Sequence, residues 1–290
     1  MWERKLVVEP PYHFDQVLRR LSNDPLKAVD IKKREIKVPL RIDQKPYVVV
    51  VQATGTTEEP SFRVRAHGPV EPTIFEIKRI FGMNHPLKVI DDHFSQTNLA
   101  SIFHHHIGTP LMLDFHLYHC FMKCIIHQQL NLSFAYELMK RFVHTYGEQI
   151  EGVWFDPLPE TIASLETDDL RQLQFSQRKA EYVIDISKRI ASGTLRLDEL
   201  HHLPDHDIEE RLLPIRGIGP WTVQNILMNG LGRPNLFPMA DIGIQNAIKQ
   251  HFHLPEKPTK EEMEALSKEW APYLSYASLY LWRSIETNKD

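Results

Sequence analysis

The residues best placed to do chemistry lie in the stretch LLPIRGIGPWTVQNILMNGLGRPNLFPMAD, Leu212 to Asp241. Gly217-Ile218-Gly219 falls between two helical patterns, and Asp241 stands further on as an isolated carboxylate. Two glycines one residue apart permit a tight turn at positive φ. Pro220 suits the first position of the next helix, where a missing N–H costs nothing. The amides of Gly217 and Gly219 would then face outward at a helix start and form a nest for an anion such as phosphate. Thr222 would add a hydroxyl to that nest and Arg216 a charge. Taken alone, the G-x-G pattern favours a plainer reading, a helical hairpin packed closely on itself. Asp241 precedes the pattern Ile242–Phe252, and a helix N-terminus favours negative charge. A carboxylate held there can stabilise developing positive charge in a transition state. It can equally be an ordinary N-cap, and the two roles are compatible.

Composition bounds the partners. The chain of 290 residues suits one large or two modest domains. Its net charge of −4 argues against coating nucleic acid by bulk electrostatics. The local distribution differs from the sum: Arg211, Arg216 and Arg233 lie between Arg211 and Ala240 with no acidic residue among them. A locally positive surface on an acidic protein fits a focused phosphate contact. Cys120 and Cys124 are four apart on one helical face, so they read as buried thiols in a reducing, cytoplasmic setting. Two cysteines cannot by themselves ligate an iron–sulfur cluster. No signal peptide is recognisable, and no apolar run approaches the roughly 18 residues of a membrane span.

Two kinds of pattern follow along the chain. Residues 1–95 mix a helix, Tyr12–Leu21, with strand-like runs at Ala28–Ile31, Glu35–Val38, Tyr47–Val51 and Phe62–Val64. Their β-branched content and alternation predict an antiparallel sheet. Residues 96–290 read as helices: Asp114–Gln129 (apolar and central), Phe134–Tyr146, Gln177–Ile190 with Ser176 as N-cap, Asp207–Leu213, Pro220–Asn229, Ile242–Phe252, Lys260–Ser267 and Leu274–Glu286. The predicted class is α+β: an N-terminal antiparallel-sheet α/β domain, then an all-helical domain. His104-His105-His106 reads as a solvated loop rather than a metal site, since no Cys or carboxylate pattern accompanies it. Asn288–Asp290 read as a frayed end.

Taken together, LPIRGIGPWT and FPMAD resemble the helix-hairpin-helix, Gly/Pro-Asp superfamily of DNA glycosylases. Ile125-Ile126-His127-Gln128-Gln129 is similar to that family's IIxQQ segment, and Ser176-Gln177-Arg178-Lys179-Ala180 to its helix start. Pro272 to Ala277 with Leu281-Trp282 resembles its C-terminal helix. Pro10-Pro11-Tyr12-His13-Phe14 resembles the beginning of the bacterial 3-methyladenine DNA glycosylase II branch. The resemblance covers nearly the whole chain.

That resemblance implies excision of alkylated purines from double-stranded DNA, by flipping the nucleotide and breaking its N-glycosidic bond through an oxocarbenium-like state. Asp241 would be the catalytic carboxylate. Trp221 occupies the place of the lysine that attacks the sugar in lyase-type relatives, so the enzyme would be monofunctional and use water. Trp221, Trp282, Tyr273 and Tyr276 would line an aromatic pocket suited to cationic methylpurines. Gln129, with Leu130 as fallback, would fill the gap in the stack. Gly217, Gly219, Thr222 and Arg216 would contact DNA, and Lys179 would be a surface or phosphate contact. No cofactor is required, but the carbonyls of Leu213, Ile215 and Gly217 would hold a monovalent cation, sodium or potassium. The protein would be a monomer associated with the nucleoid. Two alternatives stay open: a glycosylase for oxidised bases, and a non-catalytic module that binds damaged DNA.

Overall fold

A computed structural model describes residues 1–286; the expected frayed end lies outside the described residues. Five strands form one antiparallel sheet: β1 (Trp2–Val7), β2 (Ala28–Asp30), β3 (Glu35–Ile42), β4 (Lys45–Ala53) and β5 (Ser61–Ala66), in the order β1-β5-β4-β3-β2. Val38↔Val49 and Val51↔Val64 set the register, which places buried Ile36, Val38, Val49, Val51 and Val64 in one core. β1 is largely exposed and polar, which suits an edge that must not pair with another chain.

Two apolar cores divide the molecule, and they do not follow the chain linearly. One lies under the sheet and takes Ile244, Ala247 and Ile248 from helix Ile242–His251, and Tyr276 to Leu281 (except Ser278) from helix Leu274–Glu286. The other is built by helices Leu117–His127, Leu132–Tyr146, Gln177–Ala191 and Asp205–Leu212, with Val223, Ile226 and Leu227. The last helices of the chain therefore return to the N-terminal sheet, and a seam runs between the cores.

Several elements differ from expectation for local reasons. The central helix starts at Leu117 rather than Asp114, because Asp114 N donates to Asn229 O (2.8 Å) and the residues up to His116 stay extended. Helix Pro220–Asn225 does not continue regularly; Ile226–Gly230 forms a π turn. The histidine run is not a loop. Ala100–His105 is helical, and His106 is buried and pushed down to about 4 by that burial.

Lys123 and Asp114 form a half-buried ion pair at the seam (2.5 Å). Burial alone would raise the Asp114 pKa, but Lys123, His119 and Lys27 outweigh it and bring the carboxyl down to about 2. A depressed carboxylate pKa stabilises the fold above the unfolded value, near 4, and that contribution is lost as pH falls through about 2. Urea titrations between pH 5 and 2 should therefore show on the order of 2 kcal/mol of pH-dependent stability that Asp114→Asn lacks. Equal slopes for the two proteins would refute this.

Candidate active site

Asp241 begins helix Ile242–His251 and caps it: Ile244 N donates to Oδ1 at 3.0 Å. Trp282 Nε1 donates to the same oxygen at 2.9 Å, and Trp221 Nε1 approaches Oδ2 at 3.4 Å. The two indoles come from opposite sides of the seam. Trp282 packs on the sheet-side core and Trp221 on the helical core. Among the described residues no Lys, Arg or His lies within ion-pair distance of Asp241. Neutral N–H donors thus orient the anion without cancelling its charge. Gly243 belongs to this arrangement: a Cβ there would lie 3.0 Å from Asp241 Oδ1 and 3.2 Å from Trp282 Nε1.

The tryptophans expected as pocket walls are therefore also the donors that hold the carboxylate. The tyrosines differ from each other. Tyr273 is half-buried and edge-on to His93. Tyr276 is 1% exposed and lies inside the sheet-side core, so it is a packing residue rather than a pocket wall. The reason is that helix Leu274–Glu286 is buried on nearly every face, and Tyr276 packs edge-on to Tyr273 inside the apolar core.

The hairpin has the expected turn, and its glycines act differently. Gly217 has φ 93°, and a Cβ there would strike the Tyr182 ring at 2.4 Å, so the fold requires glycine. Gly219 is extended (φ −110°, ψ 177°), and an added Cβ would meet nothing within 4 Å. Neither glycine amide donates an internal bond among the described residues, so both remain available to an anion. Arg216 is exposed and pairs with Glu181 at 3.2 Å. Thr222 is not a phosphate contact. It is 2% exposed, and its Oγ1 accepts from Gln128 Nε2 at 2.9 Å. Gln128 Nε2 also donates to Gly217 O at 2.9 Å, which ties the hairpin to the end of the central helix.

Lys179 is not a surface contact either. Its Nζ donates to the carbonyls of Ile125 (2.9 Å), Ile126 (2.7 Å) and Gln128 (2.6 Å), the unpaired acceptors at the end of that helix. Burial lowers its ammonium to about 8. The lock from Lys179 through Gln128 fixes the following residue, Gln129, which is exposed at φ 56°. Leu130 is half-buried and packed against the helical core, so Gln129 is the side chain free to reach outward. Sequence reasoning missed Gln128, Lys179 as a cap, and Gly243. The motif strings contain Gln128 and Lys179, and Gly243 lies two residues past Asp241, but only long-range pairing gives them their roles.

This geometry belongs to a known class. Residues 122–273 match the HhH-GPD superfamily base excision DNA repair protein model, and the chain belongs to that superfamily. A Bacillus subtilis protein provisionally named DNA-3-methyladenine glycosylase YfjP is 62% identical over 287 residues, covering 99% of this chain and all of the relative. A second Bacillus subtilis protein, DNA-3-methyladenine glycosylase, is 41% identical over 55% of this chain and 54% of its own length. Among solved structures, the 3-methyladenine DNA glycosylase of Archaeoglobus fulgidus superposes with TM-score 0.86 over 100% of this chain and 99% of its own, at 20% identity, which speaks to the fold. Schizosaccharomyces pombe Mag1, solved with abasic DNA, matches 68% of this chain and 97% of its own at TM-score 0.61 and 26% identity.

The two glycines separate folding from contact. Gly217→Ala should destabilise the protein by about 1 kcal/mol or more, because strain and the Tyr182 clash add. Gly219→Ala should leave the melting temperature unchanged yet weaken duplex binding at every salt concentration; unchanged affinity would rule out a backbone phosphate contact there. Lys179→Met should cost about 1–3 kcal/mol in urea unfolding, since it strands three carbonyls. A neutral result would mean solvent replaces the ammonium.

Proposed function

We propose that the protein is a monofunctional DNA glycosylase that hydrolyses the N-glycosidic bond of alkylated purines in duplex DNA, 3-methyladenine and 7-methylguanine among them, and works in the cytoplasm as a monomer. One observation carries this reading: a carboxylate held by neutral donors at a helix start, beside a hairpin whose glycine amides are free. The names of its relatives point the same way.

The chemistry follows from the parts. Phosphate on the Gly217 and Gly219 amides anchors the backbone, and Gln129 fills the space left when a nucleotide flips out. As the glycosidic bond breaks, the sugar becomes oxocarbenium-like, and the Asp241 anion stabilises that charge. The same carboxylate orients the attacking water. A methylated purine leaves readily because it is already cationic, so no strong general acid is needed.

Among the described residues no lysine lies within ion-pair distance of Asp241 to compete with water. Trp221 stands at the hairpin position where lyase-type relatives have lysine. Lys179 has a lowered pKa but spends its three donors on carbonyls. This argues for the monofunctional reading over a lyase. The carbonyls of Leu213, Ile215 and Gly217 would hold a monovalent cation. Ile215 O and Gly217 O each accept one internal bond, from Ile218 N and Gln128 Nε2, and a second lone pair remains on each. Such an ion would strengthen phosphate binding, and no catalytic step runs through it.

The test uses duplex DNA treated with a methylating agent, with released bases identified by mass spectrometry. Wild type should release methylpurines and leave strands intact. Asp241→Asn should lose about 100-fold or more in rate while retaining duplex affinity. Near-wild-type release by the variant would dismiss Asp241 as the catalytic group. Borohydride should trap no protein–DNA adduct, and a trapped adduct would establish lyase chemistry.

A further inference from the structure

The helix that carries Trp221 is tied to the central helix at both ends. At the front, Gln128 Nε2 donates to Gly217 O and to Thr222 Oγ1, each at 2.9 Å. At the back, Asp114 N donates to Asn229 O (2.8 Å). Gly230 also lies close to the central helix there: a Cβ on it would meet Leu117 Cδ1 at 2.5 Å and Cys120 Sγ at 3.2 Å. Between these ties the helix is irregular. Pro220–Asn225 is α-helical, and Ile226–Gly230 is a π turn closed by Leu231 N on Ile226 O (3.0 Å). A π turn carries one residue more than the α turn it replaces, and such insertions recur at functional sites. Each residue advances an α-helix by about 100°. With Gly230 fixed, the inserted residue therefore sets which way Trp221 points.

A polar ladder holds the widened turn. Asn225 is 7% exposed, and its amide is paired at both ends. Nδ2 donates to Trp221 O (2.9 Å), one turn earlier, and Oδ1 accepts from Asn229 Nδ2 (3.1 Å), within the π turn. The neighbours Val223, Ile226 and Leu227 all pack in the helical core, where an apolar side chain at 225 would serve packing as well. A buried amide with both groups satisfied resists rotation, because turning it strands a donor and an acceptor.

We infer that Asn225 is a positioning residue: clamped by Asn229 across the π turn, it holds Trp221 at the rotation that brings its Nε1 to Asp241 Oδ2. The inference rests on the glycosylase reading and adds to it a residue that touches neither substrate nor carboxylate. Asp241 Oδ1 is already fixed by Ile244 N and Trp282 Nε1. Among the described residues Oδ2 accepts from Trp221 alone, so the Trp221 rotation decides how Oδ2 is aimed. Trp282 comes from a separate helix and does not depend on this ladder.

The experiment is a double-mutant cycle on single-turnover release of 3-methyladenine from methylated duplex DNA, with duplex affinity measured alongside. Asn225→Ala should slow release about tenfold and leave affinity within about twofold. In a Trp221→Phe background the same substitution should cost no more than about twofold, whereas in a Trp282→Phe background the tenfold loss should persist. Equal losses in all three backgrounds would overturn the inference and mark Asn225 as a packing residue, with the glycosylase reading intact. Asn229→Ala, at a half-buried position, runs the same cycle with a loss of about threefold and decides the matter if Asn225→Ala does not fold. A second readout needs no activity. In protein labelled with 5-fluorotryptophan, the fluorine resonance that disappears in Trp221→Phe should move in Asn225→Ala and Asn229→Ala, while those of Trp2 and Trp154 stay in place. An unmoved Trp221 resonance would also overturn the inference. A moved resonance in a protein whose wild type releases no base would keep the clamp and remove the glycosylase reading.

Discussion

One carboxylate, Asp241, is held among the described residues only by neutral donors, and those donors come from both cores of the protein. Asp241 is held by a helix amide and two indole N–H groups, all neutral. An arginine in their place would orient the group as well but neutralise the charge that the proposed chemistry uses. Because Trp282 packs on one core and Trp221 on the other, the carboxylate geometry also reports how the two bodies sit against each other. A shift along the seam would part the donors from their acceptor.

The second support acts at the other end of the hairpin. Lys179 closes the central helix, Gln128 ties that end to Gly217 and Thr222, and Gln129 is left in a left-handed turn facing outward. Three segments far apart in sequence are thereby made into one rigid edge beside the glycine amides. The hydrogen bonds of Lys179 and Gln128 are shared between these segments, which makes the junction specific.

Much was legible in the chain itself. Alternating β-branched runs predicted the antiparallel sheet, and caps such as Ser176 marked helix starts that the structure shows within a residue or two. Asp241 as the first turn of a helix, and the Gly217 turn, were readable from local chemistry alone. Local reading failed where a distant partner decides. Thr222 looked like a phosphate ligand until Gln128 claimed it, and Tyr276 like a pocket wall until the apolar core enclosed it. His106 looked solvated in a polar run, yet it is buried.

The sequence by itself determined which groups are candidates for chemistry, because residue type and helix position set what a carboxylate at Asp241 and the glycine amides can offer. Only the tertiary structure decided which of them meet. Side chains from residues 128, 179, 221, 241 and 282 converge through packing of two cores, and burial fixes direction and partner in a way no local spacing encodes. Periodicity shows that a face is buried but not what lies opposite it, so the carboxylate's donors belong to the fold.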